Sequence, residues 1–237
     1  MASALKFENV TKHYGKSSVL DDVSFEVARG TIVGLAGING AGKTTLIKSL
    51  LGLCGTDSGR IEIHGVSHLD TLSRAALAYL PEKFNPPAHL NGGDFLRLAM
   101  RLYAANPDER QTAAMLSELG LDHALGLSVG RYSKGMAQKL GLAACFLSGK
   151  DLFVLDEPMS GLDPMARARV KELFLGLREK GGTLLFTSHD LFTMGEICDR
   201  VAILHEGRMA FLSGCNDIER AFLECTCVAN SDSGANV

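Results

Sequence analysis

Gly37-Ile38-Asn39-Gly40-Ala41-Gly42-Lys43-Thr44 is the stretch of this 237-residue chain that decides its fold. Its Gly-x-x-x-x-Gly-Lys-Thr spacing lets successive backbone N–H groups curl around phosphate oxygens. A short apolar run, Thr31–Ala36, precedes it and predicts a strand that is buried on both faces. A helix predicted from Lys43 to about Leu53 follows, and its N-terminus adds a partial positive charge. This context disfavours a chance match on a glycine-rich turn, so we interpret the stretch as a phosphate-binding loop.

Several side chains of this loop have expected roles in holding a nucleotide. Lys43 is expected to reach the β- and γ-phosphates, Thr44 to ligate Mg²⁺, and Thr45 to add a phosphate contact. Together with the backbone around them, they define a candidate nucleotide-contacting set. Its members are Gly37, Asn39, Gly40, Ala41, Gly42, Lys43, Thr44 and Thr45.

A second stretch, Leu152-Phe153-Val154-Leu155-Asp156-Glu157, is an apolar strand that ends in two acids. Carboxylates at the C-terminal end of a parallel strand lie beside the nucleotide crevice. Phosphoryl transfer needs a metal ligand and a group that orients water. We therefore expect Asp156 to hold Mg²⁺ through water and Glu157 to polarise the attacking water. The alternative, two solvated acids at a strand end, is disfavoured by the phosphate-binding loop.

The composition excludes several classes of protein. Hydrophobic residues make up 46% and charged residues 22%, which excludes a disordered chain, a collagen and a disulfide-stapled miniprotein. The formal net charge is −3, so no bulk basic charge points to nucleic acid, and we expect no nucleic-acid partner. No uncharged apolar run approaches the ~18 residues needed to cross a bilayer.

The first residues and the cysteines indicate a reducing cytoplasm. Residues 1–6 do not resemble a signal peptide, and the cysteines show no disulfide framework. Cys225 and Cys227 could ligate a soft metal, but no second Cys or His pair stands at a zinc-like spacing, which favours two thiols in a tail. Six histidines form no pair at a metal spacing and are interpreted as surface or structural: His13, His64, His68, His89, His123 and His205.

Hydrophobic periodicity divides the chain into three parts. Leu5–Phe7 and Val23–Val27 alternate apolar and polar residues, as antiparallel strands do. Residues 85–147 have a helical pattern, after which buried strands and helices alternate again and a hairpin is predicted at residues 201–212. This order predicts an α/β fold: a P-loop NTPase core with an antiparallel β edge subdomain and a helical insertion subdomain. We expect residues 1–225 to form one domain, with the helical subdomain at about 85–147, and 226–237 to form a flexible tail.

Two local patterns within the helical part give sharper expectations. Phe95, Leu98, Ala99 and Leu102 fall at i, i+3, i+4 and i+7, so we expect them to line one face of a helix. Asn106-Pro107-Asp108-Glu109 predicts the start of the next helix, with Asn106 as its N-cap, and Gly120 is expected to end it.

Two further motifs flank the acidic pair and narrow the interpretation to one family. Ser160-Gly161-Leu162-Asp163 follows it, and Tyr132-Ser133-Lys134-Gly135-Met136, here called the signature segment, precedes it at the start of a predicted helix. With these motifs the chain resembles the ATP-binding subunits of ABC transporters from Tyr14 to about Gly214. The signature segment and Tyr79-Leu80-Pro81-Glu82 together look most like the exporter branch with ABC-2 type permeases.

The resemblance implies roles for individual residues. Ser133 and Gly135 would bind the γ-phosphate held by the opposite protomer, and Lys134 would lie near it. Tyr14 would stack on adenine, although an ordinary edge-strand tyrosine is the alternative. His189, after Ser188 at a strand end, would contact the γ-phosphate and act in hydrolysis with Glu157 and Lys43.

The remaining implied residues concern the metal and two interfaces. Asp163 would cross the interface between protomers, besides capping the helix that starts at Pro164. Glu82 stands where the family usually has Gln and would ligate Mg²⁺ or water. Glu82 and Phe84 would meet a helix of the permease, with Phe84 as an exposed aromatic anchor. The alternative is a plain connecting loop with Phe84 in the core.

The function implied by the resemblance is an ATP-binding and ATP-hydrolysing subunit that powers export through a separate membrane permease. A homodimer or heterodimer would hold ATP between two protomers at the cytoplasmic face of the membrane. Import is the less favoured alternative. A ribosome- or DNA-associated ABC ATPase is disfavoured because the chain has neither a second such domain nor sustained heptads. A subunit that binds ATP without hydrolysing it is disfavoured by intact Lys43, Asp156, Glu157 and His189.

Overall fold

Two β-sheets, eight α-helices and two short 3-10 helices form the part of the chain that this computed structural model describes, residues 2–213 and 218–227. The smaller sheet is antiparallel, and its strands, numbered along the chain, are β1 (Ser3–Tyr14), β2 (Ser17–Ala28), β4 (Ser58–Ile63) and β5 (Val66–Ser67). Their order in the sheet is β2-β1-β4-β5. Alternating residues of β1 and β2 face the core, where Phe7 and Phe25 stack with ring centroids 4.4 Å apart. The alternating pattern at the start of the chain therefore predicted this sheet correctly.

The larger sheet supports the candidate site. Its strands are β3 (Ile32–Ala36), β6 (Leu77–Leu80), β7 (Leu152–Leu155), β8 (Thr183–Thr187), β9 (Arg200–His205) and β10 (Arg208–Ser213). Their order is β10-β9-β3-β8-β7-β6, and all neighbours are parallel except the β9–β10 hairpin. Every residue of β3, β7 and β8 is buried, which explains why these strands are unbroken apolar or small-residue runs. Their carboxyl ends meet at one edge of the sheet.

Helices cover the larger sheet and connect its strands. They are α1 (Lys43–Leu50), α2 (Thr71–Arg74), α3 (Gly92–Tyr103), α4 (Glu109–Leu119), α5 (Lys134–Phe146), α6 (Pro164–Glu179), α7 (Leu191–Ile197) and α8 (Ile218–Cys227). Helices α3, α4 and α5 lie between β6 and β7 in the chain, as the helical pattern predicted. The predicted fold class, an α/β fold with a P-loop core, is confirmed.

Several element boundaries differ from the sequence-based expectation. Helix α1 ends at Leu50 rather than near Leu53, because the chain turns at Gly52, where φ is 67°. The short elements β5 and α2 were not predicted. Helix α8 includes the first two residues of the predicted tail, 226 and 227, and the rest of that tail lies outside the described residues.

The four residues expected on one face of α3 do lie on one face, since all of them line the same groove, but they are not all buried. Ala99 is buried, but Leu98 is 40% exposed and Leu102 is 79% exposed. The helix buries Leu96 and Met100 instead. The set shifted by one position along the chain has the same i, i+3, i+4 spacing, so only packing against the rest of the protein decides between the two faces.

The start of α4 also differs from the expectation. Its N-cap is Asp108, not Asn106, and the Asp108 side chain accepts a hydrogen bond from the Gln111 N–H at 2.6 Å. The Gln111 side chain in turn accepts from the Asp108 N–H, which completes a capping box. The expected end at Gly120 is confirmed, with φ of 66°.

Candidate functional site

A cavity of about 650 Å³ lies at the carboxyl edge of the larger sheet. It brings together most of the predicted site residues: Gly37, Asn39, Gly40, Gly42, Lys43, Thr44, Thr45, Glu82, Asp156, Glu157 and His189. Ala41 is buried in the loop beside it. The other predicted site residues lie outside this lining: Tyr14, Phe84, Ser133, Lys134, Gly135 and Asp163.

The phosphate-binding loop has its shape because two of its glycines meet other backbone segments. Gly42 has φ of 106°, and a Cβ atom there would lie 2.6 Å from the carbonyl oxygen of Val19. A Cβ atom at Gly37 would collide with the carbonyl oxygen of Leu204. Residues with side chains would therefore push the loop away from both β2 and β9.

Lys43, the first residue of α1, is buried and directs its amine back at its own loop. The Nζ atom donates hydrogen bonds to the carbonyl oxygens of Gly37 at 2.7 Å and Ile38 at 3.1 Å. Burial lowers the pKa of Lys43, and the charges of Glu157 and Asp156 act in the opposite direction. Two carbonyl oxygens of its own loop thus hold the amine at the cavity wall.

Asp156 directly follows β7 and is 2% exposed. Its Oδ1 accepts a hydrogen bond from Thr187 Oγ1 at 2.6 Å, and Thr44 Oγ1 lies 3.4 Å from Oδ2. Burial raises the pKa of Asp156, although the hydrogen bond from Thr187 opposes the shift. A buried carboxylate beside a threonine hydroxyl fits Mg²⁺, which takes oxygen ligands and keeps waters and substrate phosphates as the rest of its shell.

Glu157 and His189 form a pair at the same edge. His189 Nδ1 lies 3.1 Å from Glu157 Oε2. The Glu157 side chain is only 16% exposed, whereas that of His189 is 78% exposed. The Glu157 backbone has φ of 48°, a left-handed conformation that is uncommon outside glycine. This strained turn points a carboxylate into the cavity, where it faces the phosphate-binding loop.

The signature segment starts α5 outside the cavity. Ser133 is exposed and caps the helix by accepting a hydrogen bond from the Met136 N–H at 3.2 Å. Lys134 Nζ donates to Ser160 Oγ at 3.0 Å, so its charge lies against the loop after Glu157 in the same chain. We expected Lys134 near a second protomer's phosphate, and this contact gives it a role within its own chain.

Tyr14 and Asp163 are also apart from the cavity. Tyr14 ends β1, is 53% exposed, and has the Lys12 amine 5.3 Å from its ring centroid. A hydrogen bond with Cys54 raises the pKa of Tyr14. Asp163 is exposed and caps α6 through a 2.9 Å hydrogen bond from the Ala166 N–H, which lowers the pKa of Asp163. Its predicted capping role is therefore confirmed.

Glu82 and Phe84 belong to one loop but differ in exposure. Glu82 is exposed and lines the cavity. Phe84 is half-buried rather than exposed, because its ring packs edge-on against Phe95 with centroids 5.6 Å apart. Phe84 also lines an apolar groove of about 330 Å³ that includes the exposed residues Leu98 and Leu102.

Sequence reasoning missed four residues that line the cavity: Val19, Ile38, Ser160 and Phe222. Ile38 and Ser160 belong to motifs that were recognised, so their position could have been inferred from the motif. Val19 reaches the loop because β2 runs against Gly42. Phe222 comes from α8, near the end of the described chain, and no local pattern indicates that this helix contacts the cavity.

Among the described residues, no helix is both long and apolar enough to cross a membrane.

The proteins that this chain resembles are named as ATP-binding proteins, which agrees with a cavity suited to a nucleotide. The chain is 32% identical to the manganese transport system ATP-binding protein of Bacillus subtilis, over 87% of this chain and 85% of that protein. It is 35% identical to the Nod factor export ATP-binding protein I of Burkholderia orbicola, over 86% of this chain and 68% of that protein.

A solved structure described as the ATP binding subunit of an ABC transporter superposes with a TM-score of 0.82 at 33% identity, over 98% of this chain and 99% of that one. The chain spans only 56% and 58% of the length of two other curated relatives it matches. The profile described as ABC transporter matches residues 20–160, more than half of the chain. The chain therefore belongs to the ABC transporter family of ATP-binding proteins.

Proposed function

We propose that this protein binds and hydrolyses ATP and that it powers transport through a separate membrane permease. The single observation that carries the proposal is the cavity, in which a buried lysine, a buried aspartate and a glutamate–histidine pair line one space. Each group matches one need of phosphoryl transfer: a phosphate anchor, a metal ligand and a water-orienting base.

Binding starts at the phosphate-binding loop. The backbone N–H groups around Gly40 and Gly42 and the N-terminus of α1 attract phosphate oxygens. When ATP binds, the Lys43 amine leaves its two carbonyl contacts and binds the β- and γ-phosphates. This exchange is favourable because phosphate oxygens are negatively charged and carbonyl oxygens are neutral. Thr45 lies in the same wall and adds a further hydroxyl.

Hydrolysis depends on the acids at the end of β7. Thr44 and Asp156, with Glu82 across the cavity, are the residues that would hold Mg²⁺, which neutralises the charge that develops on the phosphates. Glu157 orients a water molecule for attack on the γ-phosphate. His189 holds the Glu157 carboxylate and reaches the γ-phosphate from its exposed position.

The signature segment completes the site in a second copy or in a homologous chain. Ser133 and Gly135 lie outside this chain's own cavity. Placed over the partner's loop, the N-terminus of α5 supplies hydrogen-bond donors for the γ-phosphate. Asp163 is also exposed outside the cavity lining and contacts the partner in this arrangement. ATP between two protomers favours the closed pair, and hydrolysis releases it.

The direction of transport is proposed to be export. This rests on the signature segment and on Tyr79-Leu80-Pro81-Glu82, which resemble the branch with ABC-2 type permeases. One relative is named for Nod factor export and another for manganese transport, at similar identity. The groove beside Phe84 is the proposed binding site for a permease helix, and the protein is accordingly proposed to act at the cytoplasmic face of the membrane.

The variant Glu157→Gln tests the proposed chemistry, with Glu172→Gln on the exposed face of α6 as its matched control. The amide keeps the shape but cannot orient water as a base, so we expect hydrolysis to fall by about 10²–10⁴-fold with ATP affinity retained. ATPase rates and nucleotide titrations measure both quantities. Hydrolysis at the wild-type rate by Glu157→Gln would refute the proposed role.

A further inference from the structure

The strained turn at Glu157 must be held by its surroundings. A non-glycine residue keeps a positive φ only where several neighbouring contacts hold its backbone in that conformation. At Glu157, φ is 48°. Two buried side chains supply the contacts, one from β8 and one from α5.

Thr187 holds the turn from the sheet side. It is fully buried at the end of β8. Its hydroxyl accepts a hydrogen bond from the Glu157 N–H at 2.8 Å and donates to Asp156 Oδ1 at 2.6 Å. Thr187 therefore fixes the backbone at the point where the chain leaves β7.

Gln138 holds the turn from the opposite side. It lies on α5 and is 3% exposed, which is rare for a glutamine. Its Nε2 atom donates to the carbonyl oxygens of Glu157 at 3.4 Å and Pro158 at 3.1 Å. The buried amide nitrogen thus donates to the backbone of the turn, and an apolar replacement would leave these carbonyls without this donor.

The same helix carries the signature segment. Lys134 donates to Ser160, and a Cβ atom on Gly135 would lie 2.8 Å from the Gly161 carbonyl oxygen. The first two turns of α5 therefore pack closely against residues 157–161. In a pair of protomers, this contact would link each chain's own Glu157 to the Ser133 that faces the partner's nucleotide.

We propose that Gln138 is a positioning residue for ATP hydrolysis, which holds the Glu157 turn so that its carboxylate faces the attacking water. The inference rests on the proposed function, in which Glu157 orients that water. Gln138 lies outside the cavity lining, so it acts through Glu157 and not through contact with the nucleotide.

The test is Gln138→Met in the full-length protein. Methionine has a similar length but cannot donate to the two carbonyls. We expect kcat to fall at least tenfold while KM and the Kd for ATP change less than twofold, since the phosphate-binding loop is untouched. A kcat within twofold of wild type, or a raised KM with unchanged kcat, would overturn the inference.

The matched control is Gln111→Met, at the chain's other glutamine. This change removes the side-chain bond of the capping box of α4, far from the cavity. It is expected to lower the melting temperature and leave kcat unchanged. A loss of kcat that follows melting temperature equally in both variants would show that Gln138 has only a structural role.

Two further variants keep the test decisive if Gln138→Met does not fold. Gln138→Glu keeps the shape but presents carboxylate oxygens to the carbonyls, and Gln138→Asn keeps the amide but shortens its reach. Both are expected to lose kcat with ATP affinity retained. Glu157→Gln is measured in parallel: if it still hydrolyses ATP, the proposed function fails, whereas loss of activity in Glu157→Gln alone overturns only the role of Gln138.

Discussion

The phosphate-binding loop and the signature segment were both predicted to contact ATP, but only the loop lines the cavity described above. The loop lies between β3 and α1, pressed against β2 and β9, and its residues line the cavity. Ser133 starts α5 on an exposed surface, with a helix cap as its hydrogen bond. One chain therefore carries the phosphate-binding loop in the wall of its cavity and, outside the lining of that cavity, the helix N-terminus at Ser133.

The largest expected effect is on the loop. Among the described residues that line the cavity, Lys43 is the only lysine, so we expect Lys43→Ala to lower ATP affinity by about a hundredfold, or ~3 kcal/mol. The matched control is Lys16→Ala in the exposed turn between β1 and β2, which should bind ATP normally. A nucleotide titration measures both, and retained affinity in Lys43→Ala would contradict the phosphate role.

The next effect concerns the signature segment and acts in trans. Ser133→Arg puts bulk and charge where the partner's γ-phosphate is expected, so hydrolysis should fall to a small fraction while the chain's own loop still binds ATP. The control is Ser117→Arg, at an exposed position of α4. ATPase assays at protein concentrations that favour pairing provide the measurement. Normal hydrolysis by Ser133→Arg would refute the trans arrangement.

Pairs made of two different variant chains show whether Ser133 acts on the partner's nucleotide or on that of its own chain. When one chain carries Lys43→Ala and the other Ser133→Arg, a trans arrangement concentrates both defects in one site and leaves the second site intact. Such pairs should recover up to half of the wild-type activity, although each variant alone is inactive. If Ser133 acted within its own chain, every site would be defective and mixing would recover nothing.

The features that the sequence could predict are those that depend on local patterns rather than on contacts between distant segments. The loop and β7 were identified correctly because unbroken apolar runs and a fixed glycine spacing are local signals. The face of α3 that carries Phe95, Leu98 and Leu102 was identified as well. How far that face is buried could not be predicted, because the set beginning at Leu96 has the same spacing and only packing against the rest of the fold decides between them.

Contacts between distant segments explain why the sequence did not indicate the positions of other residues near the cavity and the groove. Phe222 reaches the cavity from α8, and Gln138 contacts the Glu157 turn 19 residues further along the chain. Neither residue belongs to a spacing that indicates phosphate chemistry. Phe84 was expected to be exposed, but the edge-on contact with Phe95 depends on how α3 sits against the loop.

A moderate effect is expected at the groove beside Phe84. Leu102→Glu places a charge on an exposed apolar side chain of that groove, so binding to the permease should weaken by about tenfold, or ~1.4 kcal/mol. Leu72→Glu on α2, where the leucine is 80% exposed outside the groove, is the matched control. Phe84→Ala is a less selective variant because it also removes packing on Phe95.

Co-purification with the permease measures the effect at the groove. Both leucine variants should keep the melting temperature and ATP affinity of the wild type, because both side chains are largely exposed. Equal permease yields from Leu102→Glu and Leu72→Glu would place the permease contact on another surface.

The smallest expected effect has the opposite sign, because it stabilises the protein. Burial raises the pKa of Asp156 above its unfolded value, so its ionised form destabilises the fold at neutral pH. Asp156→Asn keeps hydrogen-bonding groups for Thr187 and Thr44 without the charge. We expect a gain of ~1 kcal/mol, or about 2–4 °C in melting temperature without nucleotide, together with loss of Mg²⁺-dependent hydrolysis.

The pH dependence of this gain tests its cause. The gain is full above the raised pKa and shrinks as the pH falls toward the ordinary aspartate value of about 3.9, where both states are protonated. Melting curves between about pH 8 and pH 5 measure it, with Asp122→Asn at an exposed position as the control. A gain that does not depend on pH would mean that the ionised charge is not its cause. A lower melting temperature for Asp156→Asn would mean that the hydrogen bonds of the carboxylate outweigh its burial. In that case the acid would stabilise the loop as well as hold the metal.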